Sequence, residues 1–110
     1  MEIFEKEEKG VSIFKLAGRL DSKTSPEFEK KIFDAIDKGS KQMIVDFGDL
    51  DYISSAGLRV ILKATKDLKR SEGNFILCSM KDYVKEVFEI SGFDTFLPIV
   101  SSMDEALQKM

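Results

Sequence analysis

Two adjacent hydroxyls, Ser54 and Ser55, stand between a short apolar run and a strongly helical one, in the segment from Asp49 to Leu58 that reads DLDYISSAGL. Small hydroxyls at the start of a helix satisfy its free amides, and the same position accommodates a phosphate well. A serine can also serve as a nucleophile, but that role needs a base. The chain has no histidine and the segment no Gly-x-Ser-x-Gly elbow, so Lys63 or an aspartate would have to act as base. Hydrolytic chemistry is therefore disfavoured, and the missing histidine also removes the commonest zinc ligand.

These serines are positioned by the elements on either side. Met43 to Phe47 is short, β-branched and apolar, as a buried parallel strand requires, while Leu58, Ile61, Leu62, Thr65 and Leu68 recur at helical spacing. The serines thus open a helix at the carboxyl edge of a sheet, where open α/β folds place their functional groups. Upstream, Ile3 to Lys6 and Val11 to Leu16 read as a β-hairpin turned at Gly10. Thr24-Ser25-Pro26-Glu27 is a helix start with a hydroxyl cap, a proline in the first turn and an acid suited to the helix dipole. Phe28, Ile32, Phe33 and Ile36 mark its buried face and Gly39 its left-handed end. Downstream, a helix over 57–70, a strand over 74–78 and a helix over 81–90 stopping at Gly92 continue the βαβ rhythm. An edge strand at 96–99, limited by Pro98, and a capping box at Ser102 to Glu105 opening a last helix complete the order ββαβαβαβα. The fold class is α/β, a mixed sheet that begins with an antiparallel hairpin and goes on in parallel, with about four helices.

Composition bounds the function further. At 110 residues the chain is one domain, too small for a catalytic domain with a separate lid. No apolar run approaches the ~20 residues of a membrane span, and the N-terminus lacks the basic and apolar regions of a signal peptide. One cysteine, Cys78, lies in the apolar run Phe75 to Cys78; it reads as a small buried residue rather than a reactive thiol and fits a reducing compartment. The expected location is the cytoplasm. A formal net charge of -3, with lysines and arginines interleaved among acids, gives no basic patch for nucleic acid and turns attention to protein partners.

The block DLDYISSAGL, preceded by Met43 to Phe47, by Gly18-Arg19-Leu20-Asp21 with Thr24 after it, and followed by the turn Glu72-Gly73-Asn74, resembles the STAS domain of bacterial anti-sigma-factor antagonists. The resemblance spans essentially all of residues 1–110 and rests on three signatures in the right order. It implies a serine phosphoacceptor in this loop, modified by an anti-sigma factor that is also a serine kinase and reset by a metal-dependent serine phosphatase. Matching the block residue by residue puts the acceptor on Ser55, with Ser54 as second choice; the family often carries aspartate where this chain has Ser54, and Ala56 removes a third hydroxyl. When Ser55 is unmodified, the resemblance implies that the chain binds the anti-sigma factor and so frees a sigma factor.

The partner surface expected from this comprises Tyr52, Ile53, Ser54, Ser55, Ala56, Gly57 and Leu58 together with Asp21, Asp46 and Asp49. Asp21 matches a family aspartate but also suits a turn or cap before Thr24. Asp46 and Asp49 can shape a switch surface or bond to local backbone. Gly57 can permit close backbone approach or only a conformation. No cofactor, metal or membrane partner is expected, and the chain is expected as a monomer. The alternative role is a STAS module in another assembly: a stressosome-like scaffold, a lipid-transport accessory subunit, or a nucleotide or small-molecule sensor.

Overall fold

The structure, a computed structural model, describes residues 1–110. Strands β1 (Glu2–Glu8) and β2 (Val11–Leu20) form an antiparallel hairpin. Lys9 and Gly10, at φ +51° and +81°, make the two-residue turn, whose left-handed pair of residues suits the twist of the strands it joins. Then follow α1 (Ser25–Asp37), β3 (Gln42–Ile53), α2 (Ser55–Arg70), β4 (Asn74–Cys78), α3 (Asp82–Ile90), a 3-10 turn (Phe93–Thr95), β5 (Ile99–Val100) and α4 (Met103–Gln108). The five strands lie in chain order, with every pair after the hairpin parallel. The ββαβαβαβα order expected from the sequence is the order observed.

Strand alternation splits the core in two. Phe14, Leu16, Met43, Val45, Phe47, Phe75 and Leu77 pack against α1, α2 and α3. Val11, Ile13, Ile44, Ile76 and Cys78 face the other way, against Ala106 of α4. Phe14 meets Phe28 of α1 edge to face at 6.3 Å, and Phe47 meets Phe88 of α3 in the same manner at 5.9 Å, an arrangement that suits aromatic quadrupoles. These contacts seat α1 and α3 on the sheet, while the serine loop itself leads from β3 into α2.

Strand β2 runs on to Leu20, past the expected Leu16, α2 starts at Ser55 rather than at 57, and three further departures from the sequence expectation have identifiable causes. Strand β3 does not end at Phe47 but runs on to Ile53. Lys15 pairs with Asp46 and Ala17 with Asp49, so Phe47 and Gly48 together oppose one residue of β2, a β-bulge. The Asp46 carboxylate accepts from the Gly48 amide at 2.8 Å and holds that bulge. Thr24 is the N-cap residue of α1, yet its hydroxyl does not cap the helix. It donates to the Arg19 carbonyl at 2.8 Å and accepts from the Asp21 amide at 2.9 Å, drawn into the turn before the helix. The edge strand is Ile99–Val100 rather than 96–99, because Gly92 at φ +78° turns the chain into the 3-10 segment and Phe96 follows it outside the sheet.

Candidate functional site

The carboxyl ends of β2 and β3 lie side by side and are tied where β3 gives way to α2. The Ser54 amide donates to the Leu20 carbonyl at 2.9 Å, the last cross-link before the chain leaves the sheet. Ser54 is then the N-cap of α2: its backbone is extended, its carbonyl accepts from the Leu58 amide at 3.0 Å, and its hydroxyl accepts from the Gly57 amide at 3.4 Å. The two serines are thereby distinguished. Ser54 is half-buried and occupied as a cap, whereas Ser55, the first helical residue, is exposed and its hydroxyl enters none of the chain's hydrogen bonds.

Gly57 explains how the loop can sit so low. A Cβ at this position would come within 2.8 Å of Leu20 Cγ and 2.9 Å of Ile53 Cγ1, both inside the core. Close approach, rather than an unusual backbone angle, is what this glycine supplies.

The β2–α1 turn is built around Asp21. Its carboxylate accepts from the Lys23 amide at 2.9 Å and the Thr24 amide at 3.1 Å, which hold its pKa below the usual carboxylate value, with Arg19 adding to the effect. The Arg19 guanidinium lies 4.2 Å above the Tyr52 ring and 3.9 Å from Asp21, so one side chain links the ends of both strands. Asp51, on the other side of Tyr52, bonds to Lys81 ahead of α3; that contact lowers the Asp51 pKa and raises that of Lys81.

Of the residues expected on the partner surface, Tyr52 (41% exposed), Ser55, part of Ser54 and part of Ala56 are accessible. Ile53, Gly57 and Leu58 point into the core and form the floor beneath the loop, since their positions follow the inward face of β3 and α2. Asp21 is brought beside the loop through Leu20. Asp46 is not: it holds the bulge and lines a groove with Phe4, Lys15 and Met103 on the α4 face. Asp49, exposed, pairs with Lys15 at 3.4 Å. Sequence reasoning missed Arg19 and Lys81, whose roles depend on strand register and on a contact across 30 positions of sequence. It also passed over Arg59, although its i,i+4 spacing from Ser55 is visible in the sequence alone. Arg59 shares a groove of about 330 Å³ between α1 and α2 with Ser22, Ser25, Glu29, Ala56 and Lys63. Lys63, the candidate base of the hydrolase reading, is held by Glu29 at 3.0 Å.

The STAS domain family matches residues 4–106, nearly the whole chain. The chain is a member of the STAS domain family. It is 42% identical over 97 residues to BtrV of Bordetella bronchiseptica, to which the role of anti-sigma factor antagonist is ascribed, covering 88% of this chain and 84% of that one. The anti-sigma F factor antagonist of Paenibacillus polymyxa is 27% identical over 103 residues, covering 93% and 88% of the two chains. A Thermotoga maritima crystal structure, likewise ascribed to an anti-sigma factor antagonist, superposes with a TM-score of 0.94 at 26% identity, covering 97% of this chain and 92% of that one. The named relatives are thus regulatory proteins. No helix is long and apolar enough to cross a membrane.

Proposed function

We propose that this STAS domain is a cytoplasmic anti-sigma-factor antagonist whose affinity for its anti-sigma partner is set by phosphorylation of Ser55. The observation that carries this reading is the division of labour between the serines: the cap occupies Ser54 and leaves Ser55 as the free, exposed hydroxyl. In the unmodified state the partner docks on Ser55, Ala56, Tyr52 and the Asp21 turn, a small surface with Arg59 beside it. The partner, acting as serine kinase, supplies ATP. Ser55 Oγ attacks the γ-phosphorus, the Oγ–P bond forms as the bond to the β-phosphate oxygen breaks, ADP leaves, and the hydroxyl proton passes to a base of the kinase. A serine phosphatase reverses the modification by hydrolysis.

Phosphorylation adds about 1.5 to 2 negative charges to a chain of formal charge -3, at the middle of the docking surface. A hundredfold loss of affinity corresponds to about 2.7 kcal/mol, within what one misplaced interfacial charge imposes. The loop itself is held by Ser54, Leu20 and the packing around Gly57, so the switch needs no refolding. Titration of the wild type, Ser55→Ala and Ser55→Asp against the purified anti-sigma kinase tests this. Ser55→Ala should bind as tightly as the wild type and a chain carrying phosphoserine at 55 at least tenfold more weakly, with Ser55→Asp between them. Equal affinity for the phosphorylated and free chains would refute the switch and favour a STAS module working in another assembly without phosphorylation.

A further inference from the structure

Arg59 stands one helical turn beyond Ser55 with no acid to answer it. Residues four apart share a helix face and helical side chains lean toward the N-terminus, so Arg59, which lines the α1–α2 groove beside Ala56, is within reach of a group carried on Ser55. Both residues are exposed. The other cations of this region are engaged: Arg19 lies over Tyr52 beside Asp21, Lys81 bonds to Asp51, and Lys63 pairs with Glu29 at 3.0 Å while its ammonium lies 5.1 Å from the Phe33 ring centre. Glu29 is the acid that shares Arg59's groove, and Lys63 holds it. A guanidinium on a flexible stem, beside an exposed hydroxyl and without a carboxylate of its own, is matched to a group that is absent until the hydroxyl is modified.

We propose that Arg59 binds the phosphate of phosphorylated Ser55 within the same chain. This inference rests on the reading of Ser55 as phosphoacceptor and adds to it a residue that governs the modified state. The guanidinium presents paired donors that fit a phosphate monoester, and the pairing favours the dianion. The second pKa of the phosphate, ordinarily near 6, is thereby lowered and the dianion dominates throughout the neutral range. The same contact draws Arg59 away from the α1–α2 groove. One modification then removes two features from the docking surface, the free Ser55 hydroxyl and the uncommitted cation beside it.

The test installs phosphoserine at position 55 during translation, so that no kinase is needed, and follows the phosphate by 31P NMR as pH is varied. Wild type, Arg59→Ala, Arg59→Lys and Lys63→Ala are compared at low salt and in 1 M NaCl. The phosphate pKa of the wild type should lie about 0.15–0.4 of a unit below that of Arg59→Ala, the size expected of an exposed pair at this spacing. Arg59→Lys should recover part of the shift, Lys63→Ala should retain it, and high salt should shrink it. Identical pKa values in wild type and Arg59→Ala, or a shift lost in Lys63→Ala instead, would overturn the proposal. The same phosphorylated chains, titrated against the anti-sigma partner, separate the two ideas. Undiminished partner binding would refute the switch itself, whereas weakened binding with no 31P difference would refute only the assignment to Arg59.

Discussion

Replacing Gly57 by alanine tests whether the serine loop is seated by close packing. The new methyl carbon would lie 2.8 Å from Leu20 Cγ, 2.9 Å from Leu20 Cδ2 and 2.9 Å from Ile53 Cγ1, where carbon atoms prefer about 3.5–4.0 Å. Leu20 is fully buried and Ile53 only 4% exposed, so neither side chain has free space to yield into. Overpacking of this kind costs about 1–3 kcal/mol, while the helix propensity gained from glycine to alanine returns at most about 1 kcal/mol. The expected balance is a loss of about 1–2 kcal/mol, a fall in Tm of roughly 5–10 °C for a domain of this size. Urea denaturation of the four chains in a double-mutant cycle with Leu20→Ala measures the contact itself. Leu20→Ala alone should cost about 2–5 kcal/mol, and adding Gly57→Ala to it should cost less than about 0.5 kcal/mol, because two of the three clashing atoms are gone. A rise in Tm for Gly57→Ala, or an equal cost in both backgrounds, would refute the argument that packing sets the loop.

The serines should separate in stability as well as in chemistry: Ser54→Ala should lower unfolding free energy by about 0.5–1 kcal/mol, the low end for a cap whose bond is long, while Ser55→Ala should leave it unchanged in the same urea titration. The Asp21 and Asp51 carboxyls are both held below their ordinary value of 3.8, by backbone amides and by Lys81 respectively, so the stability they lend is complete well above that pH and is lost as pH falls below it. Lys81 is raised above its ordinary 10.5, so its share is complete below that value and lost as pH rises beyond it. Lys81→Met should therefore flatten the Tm profile at both extremes while leaving the acid sensitivity that belongs to Asp21. Burial pushes the Cys78 thiol up to about 11, so a thiol reagent at pH 8 should label the native chain far more slowly than the urea-unfolded one.

Much of this architecture is legible in local patterns. Met43 to Phe47 alternates between two buried faces as a parallel strand does, and Leu58, Ile61 and Leu68 recur on the buried stripe of α2. The second half of β3 was hidden because Gly48, Asp49 and Asp51 resemble a loop; pairing with β2 and the bulge held by Asp46 keep that stretch in the sheet. The Thr24 hydroxyl oxygen suits either a first-turn amide of α1 or the amide of the preceding turn, and the Asp21 amide takes it, a choice that local sequence does not reveal. At the site, the pair of serines was visible from spacing, but not which one caps the helix. That depends on where strand pairing stops, at the bond from Ser54 to Leu20, a relation between segments 34 positions apart. The apolar neighbours Ile53 and Leu58, expected from the sequence on the partner surface, instead face inward, because the packing of α2 on β3 buries them.

In the proposed switch Ser55, and not Ser54, receives the phosphate that controls partner binding. Intact mass and peptide mapping after incubation with ATP and the anti-sigma serine kinases of the same genome test it directly, alongside Ser54→Ala and Ser55→Ala. One phosphate per chain, retained in Ser54→Ala and lost in Ser55→Ala, is the predicted result. A phosphate that persists in Ser55→Ala, or its absence from the wild type with every such kinase, would contradict the claim.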